Sequence, residues 1–224
     1  MPSSNRLVFA LLTGFAFPAQ AAGTLDAAGR IEFSISGGTC SAVLIAPNIV
    51  ATAAHCTPKP QELDNVSFRS GGSTETFPAL SAVKHPLYDG DSPRVEWQYR
   101  FDMGAIEVKS SDVLESIDPM PVGHEAQPGE TLYIVSWLKS YGPRPRQKAC
   151  PVLDVGLQGL VTLGCEVESG ESGAPVLRKT SDGFELVAIV SSRAKILEQP
   201  VAQASDVRLR LPPLLDLLRD HSGT

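Results

Sequence analysis

Short runs in which apolar and polar residues alternate recur along most of this chain, with turn-forming residues between them. Ile31, Phe33 and Ile35 alternate with polar residues, which predicts a strand, and Gly37-Gly38 predicts a hairpin turn after it. Further strands are predicted near residues 39–46, 49–52, 65–69, 75–84, 103–109, 131–138, 148–155, 158–164, 174–179 and 184–191. Many short strands separated by turns are typical of an all-β protein.

Two stretches depart from this pattern. Residues 89–100 are polar with two aromatic residues, and we expect a long surface loop there. Near the C-terminus, the leucines of 214–218 give an apolar helical face, and Pro212-Pro213 suits the first turn of a helix, where missing amide donors cost little. A helix is therefore predicted from Pro212 through about Asp220.

The first residues have the composition of a secretory signal peptide. Arg6 precedes an apolar run from Leu7 to Phe17, and Ala19-Gln20-Ala21 matches the A-x-A cleavage pattern. A run of about a dozen apolar residues is too short to span a bilayer comfortably. We expect cleavage after Ala21 to remove residues 1–21. The mature chain would then be secreted or periplasmic, without membrane attachment.

The overall composition restricts the class of function further. Hydrophobic residues make up 42% of the chain and charged residues 20%, as in soluble globular proteins. The net charge of −6 argues against nucleic acid as a partner. Four cysteines fit disulfides formed outside the reducing cytosol, for which three pairings are possible. The chain has no C-x-x-C pair and its histidines are scattered, so no metal site is predicted.

Three separated motifs point to nucleophilic catalysis. Ser172 lies in the sequence G-E-S-G-A-P, which suits a strained turn that presents a hydroxyl group. Serine alone is a poor nucleophile, so it needs a histidine base and an acid that orients the base. His55 follows T-A-A and precedes a cysteine, and Asp102 stands ahead of an apolar strand.

The order His55, Asp102, Ser172 and the sequence around each resemble the trypsin/chymotrypsin-like serine endopeptidases, in particular compact bacterial-type members. Four segments are similar to boxes of that family, namely residues 51–56 to T-A-A-H-C, 83–88 to H-P-x-Y, 102–106 to D-I-A-L-L and 170–175 to G-D-S-G-G-P. The resemblance covers about residues 31–218.

This resemblance implies a fold of two antiparallel six-stranded β-barrels with a C-terminal α-helix. Residues 22–120 would form the barrel with His55 and Asp102, residues 121–205 the barrel with Ser172, and residues 206–224 the helix and tail. The resemblance also implies the disulfide pairs Cys40–Cys56 and Cys150–Cys165.

The implied function is hydrolysis of peptide bonds in peptide or protein substrates by a monomer that needs no cofactor. His55 would take the Ser172 proton, Asp102 would hold the imidazole tautomer, and an acyl-enzyme would form on Ser172. The backbone amides of Gly170 and Ser172 would form the oxyanion hole.

The resemblance also implies a specificity pocket, whose preference stays open. Its walls would be formed by Glu166, Val167, Ser169, Ser191, Ser192 and Arg193. Glu166 at the floor would select Lys or Arg, whereas Arg193 could neutralise that acid, narrow the entrance or bind acidic side chains. Either side chain could instead face solvent. Ser191 is also a candidate contact of Asp102.

Glu171 and Ala174 depart from the family boxes, which have Asp and Gly at these positions. In activated members the Asp pairs with a newly cut amino terminus, so Glu171 argues for an enzyme that is competent after signal removal alone. Arg30-Ile31 superficially resembles an activation site, but the strand pattern runs through it. With Arg193, these departures leave a second hypothesis, a non-catalytic binding module that keeps the protease scaffold.

Overall fold

Two closed antiparallel barrels of six strands each make up most of the computed structural model, which describes residues 24–138 and 145–222. A C-terminal helix follows the second barrel. The predicted fold class is therefore confirmed. The expected signal peptide at residues 1–21 lies outside the described residues, and so do residues 223–224 of the expected C-terminal segment.

The first barrel is closed in the order β1-β2-β3-β6-β5-β4. Its strands are β1 Ala28–Phe33, β2 Thr39–Ala46, β3 Ile49–Thr52, β4 Val66–Ser70, β5 Phe77–Lys84 and β6 Gly104–Val108. All six were predicted from the sequence, although β1 ends before Ile35, which is exposed in the following turn. Ile31 is fully buried in β1 and is aligned with Cys40 of β2 and Phe68 of β4. The Arg30–Ile31 bond therefore lies inside a strand that is paired on both sides.

The second barrel is closed in the order β10-β11-β12-β9-β8-β7. Its strands are β7 Thr131–Ser136, β8 Arg146–Gly156, β9 Leu160–Leu163, β10 Pro175–Lys179, β11 Phe184–Ile196 and β12 Gln199–Asp206. Strand β12 was not predicted, and β11 runs five residues beyond its expected end at residue 191. From Val201 to Asp206 every residue of β12 is buried, so the strand lacks the alternation of polar and apolar residues that marks a half-exposed strand.

Helix α1, Val95–Phe101, replaces part of the expected surface loop at residues 89–100. Phe101 is buried, with its ring centroid 4.8 Å from that of Trp97. The hydroxyl of Ser205 in β12 lies 2.7 and 2.8 Å from the Tyr99 and Arg100 carbonyl oxygens, which share its single hydrogen as acceptors. The loop prediction was wrong for residues 95–100, because these stabilising contacts come from a strand about 100 residues further along the chain.

Two other α-helices occur in the described residues, the short α2 (Asp112–Glu115) and the C-terminal α3 (Val207–Ser222). Helix α3 begins five residues before Pro212, so Pro212-Pro213 lies inside the helix rather than at its start. Asp206 precedes the helix and accepts a hydrogen bond from the Leu209 amide at 3.1 Å. The helix packs on β5 and β6 of the first barrel through its buried leucines Leu211, Leu214 and Leu218.

Two disulfides support the segments that carry the candidate residues. Cys40–Cys56 joins β2 to the short turn that contains His55, and Cys150–Cys165 joins β8 to the segment that leads to Ser172. Both predicted pairings are confirmed. Across the described ranges, we find no helix with the length and apolar character needed to cross a membrane.

Candidate active site

A cleft of about 380 Å³ is lined by residues from both barrels and from α1. His55, Asp102 and Ser172 all line it, although they are far apart in the sequence. Five of the six expected substrate-binding residues do so as well, namely Val167, Ser169, Ser191, Ser192 and Arg193. Glu166 is exposed and is not among the described residues that line the cleft.

Asp102 holds His55 at two points. His55 lies in a 3-10 turn, Ala54–Cys56, that follows β3, and its Nδ1 atom is 2.7 Å from Asp102 Oδ2. The His55 backbone amide donates to Asp102 Oδ1 at 2.9 Å. A carboxylate only accepts hydrogen bonds, so Nδ1 carries a proton, and in the corresponding neutral tautomer Nε2 is an acceptor.

Asp102 itself is 4% exposed and directly follows α1. The Ser191 hydroxyl donates a third hydrogen bond to this carboxylate, at 2.6 Å from Oδ2. A buried carboxylate needs such donors because it has lost its water. The anticipated Ser191–Asp102 contact is therefore present.

The backbone around Ser172 is fixed by contacts to both barrels. The Ser41 amide in β2 donates to the Ser172 carbonyl at 2.8 Å, and the Gly173 amide donates to the Val190 carbonyl at 2.8 Å. Gly173 has φ of +80°, and a Cβ atom there would lie 2.2 Å from the Ser41 carbonyl oxygen. Only glycine fits this position, which explains the residue after the serine.

Among the described residues, no hydrogen bond joins the Ser172 hydroxyl to the His55 ring. Ser172 and His55 nevertheless border the same cleft. Catalytic hydrogen bonds are often long or poorly aligned without substrate and tighten in the Michaelis complex. A missing hydrogen bond in the substrate-free structure therefore does not rule out proton transfer between the two side chains.

The amides of Gly170 and Ser172, the expected oxyanion-hole donors, donate to no acceptor among the described residues. Gly170 has φ of +92°, a conformation that favours glycine. Its carbonyl accepts a hydrogen bond from the Ser41 hydroxyl at 2.9 Å, which fixes the orientation of the Gly170–Glu171 peptide. Two amides that have no acceptor in the described part of the chain, one of them that of Ser172 itself, could donate to an oxygen that becomes negatively charged.

Glu171, between those two residues, is completely buried. Its Oε1 atom accepts a hydrogen bond from the Ser136 hydroxyl at 2.8 Å, and Oε2 accepts one from the Glu168 amide at 2.8 Å. The Lys148 ammonium group forms an ion pair with Oε2. Lys148 was not recognised from the sequence, where nothing connects this β8 residue with the segment before Ser172.

Sequence reasoning also missed three residues on the α1 side of the cleft, Tyr88, Gln98 and Tyr99. Gln98 and Tyr99 are adjacent residues of α1, and they were missed because this helix was not predicted. Burial, and then the negative charges of Asp102 and two further aspartates, raise the pKa of Tyr88 to about 12. Tyr88 is therefore a neutral phenol at ordinary pH.

One cluster has the residue types of a metal site. Ligand atoms of Cys40, His55 and Cys56 lie within 4.8 Å of one another. Both sulfur atoms belong to the Cys40–Cys56 disulfide, so neither is a thiolate that could bind a metal.

Comparison with known proteins agrees with the observed fold. The family model described as Trypsin matches residues 20–202. A curated trypsin from Simulium vittatum is 26% identical over 181 residues, which cover 68% of this chain and 69% of the relative. The family match spans His55, Asp102 and Ser172 and most of both barrels. This chain therefore belongs to the trypsin family and is a trypsin-like serine protease.

Proposed function

We propose that this protein is a secreted or periplasmic serine endopeptidase that uses His55, Asp102 and Ser172 as a catalytic triad. The main support is the hydrogen-bonded pair His55–Asp102, whose histidine lines the same cleft as Ser172. The family implies peptide or protein substrates, and we expect the enzyme to act as a monomer without a cofactor.

In the proposed reaction, Ser172 Oγ attacks the carbonyl carbon of the scissile bond while His55 Nε2 removes its proton. Asp102 stabilises the imidazolium ion that forms. The Gly170 and Ser172 amides donate to the oxyanion, and one such donor is typically worth about 10²–10³ in turnover. His55 then protonates the leaving amine, and a water molecule, activated by the same ring, hydrolyses the acyl-enzyme.

Substrate binding is proposed along β11. Residues beyond Val190 pair with β12 on one edge, whereas β10 pairs with β11 only up to Ile189. The opposite edge near Ser191 and Ser192 would therefore be available to an extended peptide, with main-chain hydrogen bonds as in strand addition. Val167, Ser169 and Arg193 would contact the substrate side chains, whereas Glu166 lies outside the set of residues that line the cleft.

Secretion is proposed from the A-x-A pattern at residues 19–21 and is supported by the two disulfides, which form in oxidising compartments. Expression of the full chain in a host with a secretory pathway tests this directly. The expected product begins at Ala22 by N-terminal sequencing, whereas an uncleaved chain in the cytosol would contradict the proposal.

Cleavage of a diverse peptide library tests the activity and defines the preferred side chain at the same time. The chain that begins at Ala22 should cut the library, and Ser172→Ala should lower turnover by about 10⁶. His55→Ala should cause a comparable loss. If wild type and Ser172→Ala both leave the library intact and bind the same protein partner equally well, the chain is instead a non-catalytic binding module.

A further inference from the structure

We propose that Lys148 is a positioning residue for the oxyanion hole. The buried Glu171 carboxylate requires a cation, and the Lys148 side chain provides it. Activity therefore does not depend on an amino terminus that is created by a further cut in the chain. This inference rests on the proposed function and adds a residue that neither the sequence motifs nor the comparisons identify.

The first observation is the burial of an acid next to the nucleophile. Glu171 is 0% exposed, and an ionised carboxylate in such a place is unfavourable unless a cation and hydrogen bonds compensate it. Lys148 is the cation within ion-pair distance among the described residues, and its side chain is only 14% exposed. Removal of one partner of such a pair leaves an uncompensated charge, and the carboxylate then either moves toward water or takes up a proton.

The second observation is what the lysine connects. Besides its ion pair with Glu171, the Lys148 ammonium group donates to the Glu166 carbonyl at 2.7 Å. It therefore holds both ends of the segment 166–171, whose residues 167–169 line the cleft. Glu171 lies directly between Gly170 and Ser172, so a rotation of its backbone would turn the two amides that are proposed as oxyanion donors.

The third observation concerns the alternative source of a cation. Arg30-Ile31, the sequence's nearest match to an activation site, lies inside β1, and Ile31 is fully buried between β2 and β4. An amino terminus created at Ile31 would have to leave the closed barrel before it could reach Glu171. The Lys148 ammonium group already pairs with the Glu171 carboxylate, so no amino terminus is needed there.

The test uses the secreted chain with Lys148→Met, which keeps the length of the side chain and removes the charge. We expect kcat/KM to fall about 10²–10³-fold, as for the loss of an oxyanion donor, with most of the loss in kcat. The rate of fluorophosphonate labelling should fall in parallel. Lys148→Arg should retain more activity than Lys148→Met, and Lys179→Met, at an exposed lysine of β10, should match wild type.

A double variant separates positioning from general loss of structure. Lys148→Met/Glu171→Gln contains no uncompensated charge, so it should recover part of the kcat that Lys148→Met loses, a non-additive effect expected of groups in contact. If Lys148→Met fails to fold, this double variant decides the question. A kcat below that of wild type supports the inference, and a kcat equal to that of wild type overturns it.

Independence from the amino terminus is tested with a chain whose N-terminus is acetylated. Its kcat should equal that of the free chain, and a loss of more than tenfold would overturn the inference. Full activity of Lys148→Met would overturn it as well. These results differ from a failure of the proposed function, in which wild type itself is neither labelled nor able to cleave peptides.

Discussion

The Ser191 hydroxyl donates a 2.6 Å hydrogen bond to Asp102 Oδ2, the same oxygen that lies 2.7 Å from His55 Nδ1. Ser191 belongs to β11 of the second barrel, whereas Asp102 follows α1 in the first half of the chain. The orientation of the acid therefore depends on both halves of the molecule. A displacement of β11 would disturb the histidine without any change in the first barrel.

Ser191→Ala should lower kcat/KM by about 10- to 100-fold, because a hydrogen bond to a charged group contributes about 1.5–3 kcal/mol. Steady-state kinetics on a peptide substrate measures this effect. The exposed Ser181→Ala is the matched control and should behave like wild type. An unchanged kcat/KM in Ser191→Ala would mean that the two contacts with His55 position Asp102 by themselves.

Gly173→Ala should destabilise the protein much more than an alanine substitution at another glycine with positive φ. Its Cβ atom would clash with the Ser41 carbonyl and the Thr52 hydroxyl. We therefore expect the free energy of unfolding to fall by about 3 kcal/mol or more, and we expect activity to be lost as well. Gly37→Ala has a similar φ of +68° but open space around the Cβ position, and should cost about 1–2 kcal/mol. Urea denaturation compares them, and equal losses would contradict the steric argument.

His85 should make the protein sensitive to mild acid. Burial, and then the positive charge of Arg210, lower the pKa of His85 from 6.5 to about 4. The ring stacks on Phe101 at 5.1 Å, and Nδ1 accepts a hydrogen bond from the Leu87 amide. The unfolded chain therefore binds a proton at a pH where the folded chain does not. Stability is retained above about pH 6.5 and falls as the pH drops toward 4, by about 3 kcal/mol at most.

Urea denaturation at several pH values between 7 and 4 measures this slope. His85→Phe keeps an aromatic ring against Phe101 and cannot titrate, so its stability should depend less on pH over this window. His124→Gln, at an exposed histidine, should keep the slope of wild type. If His85→Phe and wild type lose stability in parallel, His85 is not the source of the acid sensitivity.

The two disulfides should contribute nearly equally to stability. They close loops with sequence separations of 16 and 15 residues, for which chain entropy predicts about 3 kcal/mol each. Denaturant titration of Cys40→Ala/Cys56→Ala and of Cys150→Ala/Cys165→Ala compares them. The first variant should also lose turnover, because Cys56 is adjacent to His55. A stability loss confined to one of the two variants would contradict the loop-entropy account.

Much of the fold could be predicted because local patterns agree with it. Strands β2 and β3 occur at their predicted bounds, Thr39–Ala46 and Ile49–Thr52, where turn residues separate short apolar runs. Helix α1 could not be predicted, since the Ser205 hydroxyl and the Arg210 guanidinium group satisfy its last carbonyls from distant parts of the chain. Strand β12 was missed because it is buried on both faces.

In the candidate site, some residues can likewise be identified from the neighbouring sequence, whereas others can be identified only from the fold. His55, Asp102 and Ser172 are recognisable from the residues that flank them. The ion pair between Lys148 and Glu171 is not, because the partners are 23 residues apart and meet only when β8 takes its place in the barrel. The position of Glu166 outside the cleft lining likewise depends on how the chain turns before Ser172.

Covalent labelling by a fluorophosphonate, located by mass spectrometry of the digested protein, shows whether Ser172 is an activated nucleophile. We expect a single modification on Ser172 that His55→Ala abolishes, with Lys179→Met labelled at the wild-type rate. A folded chain that stays unlabelled, or one modified at a different residue, would contradict this expectation.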